Sequence, residues 1–135
     1  MSLQAVEFKK RTKEFGLRAI KLCESLPNSW SARTLGQQLL RSATSVGANY
    51  RAACRARSGA EFRAKLGICE EEADESVYWM ELLVESGFVK VNRVNGLIEE
   101  ANEVLSIIVA SIRTSRRSST SSIRNPKSTI RNFKT

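Results

Sequence analysis

The sequence predicts an all-α protein that folds as an antiparallel up-down four-helix bundle with a basic, disordered C-terminal tail. Apolar residues recur at helical spacing along most of the 135 residues, and short links separate the periodic segments. Only two prolines and seven glycines occur, which argues against a loop-rich or all-β chain. We expect helices over residues 3–25, 30–57, 59–86 and 93–114, so that the bundle occupies residues 1–115 and the tail residues 116–135.

The ends of the predicted helices carry recognisable signals. Pro27 disfavours helix at the residue before it, which ends the first helix, and Asn28 or Ser29 can cap the second. The run Ser58-Gly59-Ala60-Glu61 fits the capping-box pattern and therefore starts the third helix. Gly87 suits the residue that follows the end of that helix.

The middle of the second helix is unusually rich in small residues, from Ser42 to Asn49. Gly47 within it costs about 1 kcal/mol relative to alanine in a helix interior. A close helix–helix contact would offset that cost, and we expect this segment to form a tight packing face. A groove that faces a ligand is the second interpretation.

The net charge of +8 is unevenly distributed. Counting Lys and Arg against Asp and Glu, residues 1–57 carry +8, residues 58–112 carry −7, and residues 113–135 carry +7. An excess of this kind predicts a polyanionic partner such as nucleic acid. The alternative is a pair of complementary faces that neutralise each other within an oligomer.

The chain lacks histidine, which excludes Ser-His-Asp and Cys-His catalysis and imidazole metal sites. No glycine-rich loop that could cradle a phosphate is present either. We therefore expect no enzyme activity, no cofactor and no metal. The three cysteines, Cys23, Cys54 and Cys69, are widely spaced and odd in number, which is typical of reduced thiols in a cytoplasmic protein. No signal peptide and no apolar run long enough to span a bilayer is found, so no membrane partner is expected.

The segment from Gln38 to Tyr50, QLLRSATSVGANY, resembles the signature of the four helix bundle protein family, also called the 23S ribosomal RNA intervening-sequence proteins. Further matches stand at Ser58, Phe62, Lys65-Leu66, Ile68, Glu71-Glu72, Glu75, the run from Tyr78 to Leu83, and Gly87. The resemblance covers about residues 3–113. It implies an antiparallel four-helix bundle that assembles as a homopentamer and whose biochemical role is unsettled. The family is similar to accessory proteins of diversity-generating retroelements, which bind nucleic acid and a reverse transcriptase.

One group of polar residues is predicted to form a structural seam between the second and third helices. Arg41 and Asn49 lie eight residues apart on one helix face, and Glu72 and Glu75 lie three apart on another. Antiparallel pairing of these helices would bring the four together as a salt-bridged seam. The alternative is a carboxylate pair for acid–base chemistry or a metal, but no nucleophile or histidine accompanies it.

The basic residues of the first two helices are the candidate nucleic-acid site. This set comprises Lys9, Lys10, Arg11, Lys13, Arg18, Lys21, Arg51, Arg55 and Arg57. Such a cluster contacts phosphates without reading sequence, whereas the alternative is an ordinary solvated basic face. No aromatic residue is interleaved with these cations, so Trp30 and Trp79 are interpreted as packing or interface anchors rather than base platforms.

The sequence thus predicts a non-enzymatic, oligomeric protein whose basic surface contacts RNA or DNA phosphates. The alternative function is a structural scaffold or adaptor that assembles with itself or with a protein partner. A nucleic-acid binder should leave Lys9, Lys13, Arg51 and Arg55 exposed on one continuous surface. A scaffold should use its basic residues at subunit contacts.

Overall fold

The computed structural model describes residues 2–124 and confirms the four-helix bundle. Its helices are α1 (Leu3–Glu24), α2 (Trp30–Cys54), α3 (Gly59–Glu85) and α4 (Val91–Arg124). Each helix packs antiparallel against the next along the chain, and α1 meets α4 over a smaller area. No helix in this part of the chain is long and apolar enough to cross a membrane.

Helices α1, α2 and α3 each begin at a serine. The hydroxyl groups of Ser2, Ser29 and Ser58 accept hydrogen bonds from the backbone N–H three residues later, at 3.1, 3.2 and 3.1 Å. These bonds satisfy N–H groups that have no partner inside the helix. Of the two candidate caps of α2, Ser29 therefore fills the role. At α3, the Glu61 carboxylate also accepts a bond of 3.0 Å from the backbone N–H of Arg57.

Two predicted helix ends were wrong. Helix α2 ends at Cys54 rather than at residue 57, because Ser58 must adopt an extended backbone to cap α3 and the chain leaves the helix before it. Helix α4 continues past residue 114 to Arg124, so residues 116–124 of the predicted tail are helical. No glycine or proline interrupts the sequence between Gly96 and Pro126, so a helix can propagate beyond its apolar stripe. The rest of the predicted tail, residues 125–135, lies outside the described residues.

All four helices contribute to one core. Its largest fully buried side chains include Phe15, Leu39, Leu66, Met80 and Ile108. The apolar stripes predicted from helical spacing face this core, because burying them removes apolar surface from water.

The small residues of α2 set the spacing between α1 and α2. A Cβ atom on Gly47 would lie 3.2 Å from the carbonyl oxygen of Thr12, closer than ordinary van der Waals contact. One helix turn away, a Cβ on Gly16 would lie 3.6 Å from the Cα of Thr44. The predicted packing face is therefore a contact between the backbones of α1 and α2.

Candidate nucleic-acid interface

The contact between α1 and α2 brings four predicted cations alongside one another. The ring of Phe8 meets the ring of Tyr50 edge-on, with centroids 4.7 Å apart. Lys9 follows Phe8 by one position and Arg51 follows Tyr50, so both lie about 100° further round their helices, toward solvent. Lys13 lies one helix turn after Lys9 and Arg55 one turn after Arg51, and because the helices are antiparallel these two residues stand at opposite ends of the row. We call Lys9, Lys13, Arg51 and Arg55 the α1–α2 face.

The cations of the α1–α2 face are available to a partner. Lys13, Arg51 and Arg55 are exposed and Lys9 is half-buried. Within residues 2–124, none of the four forms a salt bridge with a carboxylate. Helix α2 contains no Asp or Glu along its whole length. The local field of this face is therefore positive, and no ion pair among residues 2–124 neutralises these four cations.

Arg11 does not belong to this face. Its guanidinium points to α4, where it forms a two-pronged ion pair with Glu100 at 2.7 and 2.8 Å and a third bond to Glu103 at 3.0 Å. The hydrogen bond from Arg11 holds the pKa of Glu100 below its ordinary value, and the same bond raises the pKa of Arg11. Residues two positions apart on an α-helix point about 200° away from each other around the axis, so Arg11 and Lys13 face different neighbours.

The remaining predicted cations are distributed around the molecule. Arg18 extends toward α4, with its guanidinium 3.4 Å from where a Cβ on Gly96 would stand. Lys10 lines the groove between α1 and α4, and Lys21 is exposed near the C-terminal end of α1. Arg57 is exposed in the α2–α3 loop, close to the α1–α2 face. The structure thus gathers part of the predicted basic set and disperses the rest.

In the predicted polar seam, the structure brings three of the four residues together. Arg41 donates hydrogen bonds to the carboxylates of Glu72, at 2.9 Å, and Glu75. Glu75 also accepts a bond of 3.2 Å from the indole N–H of Trp79. Asn49 does not join them, because its amide donates to the backbone carbonyl of Ser45 in its own helix, at 2.9 Å. Both carboxylates are committed to Arg41, which favours a structural role over acid–base chemistry.

Sequence reasoning missed a second polar contact between α2 and α3. The buried hydroxyl groups of Ser42 and Ser76 lie 2.9 Å apart, so one of them donates to the other. The accepting serine keeps its own O–H for a backbone carbonyl of its helix, that of Leu39 for Ser42 or that of Glu72 for Ser76. The signal was present, since both serines fall within the apolar stripes of their helices. A hydroxyl at a core position needs a partner, and the two serines supply one for each other.

A groove of about 1120 Å³ opens between α1 and α4. Phe15 lies at its base, and Glu14, Arg18, Arg11 and Glu100 line it. The last two are bonded to each other, so this groove does not present an uncompensated cluster of catalytic groups. Within residues 2–124, no group of three or more Cys, Asp or Glu side chains is placed to hold a metal ion.

All three cysteines are free thiols, and two of them have little nucleophilic character. Cys69 is buried and donates to the carbonyl of Val46 at 3.5 Å, while Cys23 donates to the carbonyl of Gly36 at 3.3 Å. Burial raises the pKa of Cys69 to about 12 and that of Cys23 to about 11. Both are therefore protonated at neutral pH, and the thiolate is the reactive form.

The two tryptophans have different surroundings. Trp79 is half-buried and its ring meets that of Tyr78 at a centroid distance of 5.1 Å. Trp30 is 80% exposed, so it is not a packing residue of this subunit. Of the two roles predicted for Trp30, packing within the bundle is therefore wrong, and the role of an interface anchor stays a prediction.

The fold and the charge pattern define a class: an antiparallel four-helix bundle with a positive α1–α2 side. The family model of the 23S rRNA-intervening sequence proteins matches residues 4–110, and the chain belongs to this family. This match confirms the resemblance found in residues 38–87. A similar solved structure is that of a protein of unknown function from the S23 ribosomal protein family of Bacteroides thetaiotaomicron. The two sequences are 34% identical, and the match spans 79% of this chain and 99% of the Bacteroides chain. The two structures superimpose with a TM-score of 0.75. A comparison with curated proteins found no match.

Proposed function

We propose that the chain is a non-enzymatic, self-associating protein of the cytoplasm that binds RNA or DNA through phosphate contacts of the α1–α2 face. The observation that carries this proposal is the set of four cations without a salt bridge among residues 2–124, beside a helix that contains no acidic residue. Lysine and arginine on such a face neutralise phosphates and release counterions, a favourable and sequence-independent term.

Self-association would strengthen a weak site of this kind. The family resemblance implies a homopentamer, and copies of the α1–α2 face on one ring would act together through effective concentration. A reverse transcriptase is the protein partner that the resemblance suggests.

The free thiols of Cys23, Cys54 and Cys69 support a reducing compartment such as the cytoplasm, and no cofactor is part of the proposal.

The test compares two variants of the full chain that lose the same charge. The face variant combines Lys13→Gln, Arg51→Gln and Arg55→Gln, and the control combines Arg124→Gln, Lys127→Gln and Arg131→Gln near the C-terminus. Fluorescence anisotropy of labelled RNA and DNA is measured from about 50 to 200 mM salt, the range over which phosphate-driven affinity changes most visibly. We expect the face variant to lose at least about tenfold in affinity and to flatten the slope of log affinity against log salt by about 2 to 3.

The control variant is expected to lose clearly less, because the proposal places the phosphate contacts on the α1–α2 face. Equal losses in the two variants would contradict the proposal, since any polyanion affinity would then follow net charge alone. Circular dichroism of both variants checks that helicity is unchanged.

The alternative function, a scaffold or adaptor, is favoured by a different observation. The outer side of α3 carries exposed Glu71, Asp74, Glu81 and Glu85. This acidic side complements the α1–α2 face, so one copy can dock on the next with its basic residues consumed at the contact. Two results together would favour this alternative: the oligomer does not bind nucleic acid, and it dissociates in high salt.

A further inference from the structure

An unusually exposed aromatic side chain stands at the N-terminal end of α2. Trp30 is the first residue of the helix, follows the capping residue Ser29, and is 80% exposed. Among the described residues, its ring forms no aromatic contact. A tryptophan in this state keeps a large apolar ring in water, and tryptophan is enriched where a partner covers it.

A cation lies on the same side of the helix as Trp30. Arg33 lies three positions after Trp30, so the two side chains leave the same side of the helix. The guanidinium of Arg33 donates a bond of 2.7 Å to the side-chain oxygen of Asn28 in the α1–α2 loop. That bond uses one of five N–H groups, and the others remain able to donate to a phosphate.

Trp30 lies on the same side of α2 as Arg51 and Arg55, the two arginines of the α1–α2 face. Residues spaced by three or four positions share a helix side. Those on this line are Trp30, Arg33, Gln37, Arg41, Thr44, Ala48, Arg51 and Arg55. The line contains no acidic residue, and of its four arginines only Arg41 is held by carboxylates. At 1.5 Å per residue it is about 38 Å long from Trp30 to Arg55.

We propose that Trp30 stacks on an unpaired base, so that the nucleic acid bound along α2 is single-stranded, with Arg33 contacting the adjoining phosphate. This inference rests on the proposed function and specifies its ligand. In a duplex each base is already stacked and paired, whereas a single strand offers a free π-face to an exposed indole. At the rise of about 3.4 Å per nucleotide of a stacked strand, a strand that reaches from Trp30 to Arg55 has about 11 nucleotides.

The test measures binding of the full chain to a labelled single strand of about 12 nucleotides and to a duplex of the same length. A stacked strand of this length spans the distance from Trp30 to Arg55. The variants are Trp30→Ala and Trp30→Phe, with Tyr78→Ala as the control for loss of another exposed aromatic side chain, on the acidic side of α3. We expect Trp30→Ala to weaken single-strand binding about fivefold or more, as loss of one base–aromatic stack does, and to leave duplex binding unchanged.

Trp30→Phe is expected to retain most of the single-strand affinity, because phenylalanine also offers a ring face. Tyr78→Ala is expected to change neither affinity. Trp30 and Tyr78 are both exposed, so none of these substitutions should unfold the bundle. Circular dichroism of each variant checks this.

Unchanged single-strand affinity in Trp30→Ala, together with the loss expected for the face variant, would overturn this inference and leave the proposed function standing. Loss of affinity in neither variant would overturn both. If Trp30→Ala instead reduces self-association in sedimentation velocity and leaves single-strand affinity intact, Trp30 is a protein contact and the inference is wrong.

Discussion

At the scale of single residues, helix position decides what a cation does. Arg11 and Lys13 are two positions apart on α1, yet Arg11 is bonded to two carboxylates of α4 while Lys13 is exposed without a salt bridge among residues 2–124. The two-pronged bond between Arg11 and Glu100 is partly shielded from water, since only 15% of the Glu100 side chain is exposed. An ion pair of this geometry contributes more than an ordinary surface pair.

We predict that Glu100→Gln lowers the free energy of unfolding by about 1–2 kcal/mol at neutral pH, because it removes a charged hydrogen-bond pair. The lowered pKa of Glu100 means that this stabilisation is present above its ordinary value of 4.5 and is lost as the pH falls through the lowered pKa. The difference between the wild type and the variant should therefore shrink in acid. Urea denaturation followed by circular dichroism at several pH values measures it.

Glu103→Gln is the matched control, since the Glu103 side chain is 67% exposed and forms a single bond to Arg11 at 3.0 Å. It should cost no more than about 0.5 kcal/mol. A cost equal to that of Glu100→Gln at neutral pH would contradict the assignment of the stabilisation to the two-pronged pair.

At the scale of helices, close packing positions the α1–α2 face. Gly47 allows the backbones of α1 and α2 to approach at Thr12 and Lys13. Glycine within a helix is otherwise unfavourable by about 1 kcal/mol relative to alanine. The same residue type in α3, Gly67, has no atom within 4 Å of the position that a Cβ would take. Substituting each glycine by alanine therefore distinguishes the effect of helix propensity, which acts at both positions, from the effect of packing, which acts at Gly47 alone.

We predict that Gly67→Ala raises the free energy of unfolding by about 0.5–1 kcal/mol, since alanine stabilises the helix and meets no obstacle. Gly47→Ala should yield no such gain, because its Cβ would press on the backbone carbonyl of Thr12 at 3.2 Å and the neighbour is not a flexible side chain. Chemical denaturation of the two variants provides the comparison. An equal gain at both positions would show that α1 and α2 can separate at no cost.

At the scale of the whole molecule, charge is segregated between faces. The α1–α2 face is positive, and the outer side of α3 presents Glu71, Asp74, Glu81 and Glu85. Two faces of one subunit that differ in sign favour head-to-tail contacts between copies, and such contacts close into a ring when the rotation allows it. Assembly through such contacts would compete with nucleic-acid binding, because both would use the cations of the α1–α2 face.

The scaffold alternative, in which the acidic side of α3 docks on the α1–α2 face of the next copy, predicts that the double variant Glu71→Gln and Asp74→Asn weakens self-association of the full chain by at least about tenfold. It also predicts that self-association becomes less sensitive to salt, since complementary charges across an interface are lost. Sedimentation velocity over a concentration series measures the change. The control, Glu14→Gln with Glu99→Gln, removes the same charge from exposed positions of α1 and α4 and should leave association intact. Equal effects of both pairs would assign assembly to net charge rather than to the α3 side.

The sequence by itself determined the helical fold and most helix starts, because apolar spacing and capping serines act within a few residues. It also identified the pairing of Arg41 with Glu72 and Glu75 as a seam, since antiparallel neighbours in a bundle have a restricted register. Only the tertiary structure decided which cations are consumed and which are available, because Arg11 is paired with Glu100, 89 residues away along the chain. The exposure of Trp30 was likewise a tertiary outcome, since whether an aromatic ring is covered depends on what packs beside it.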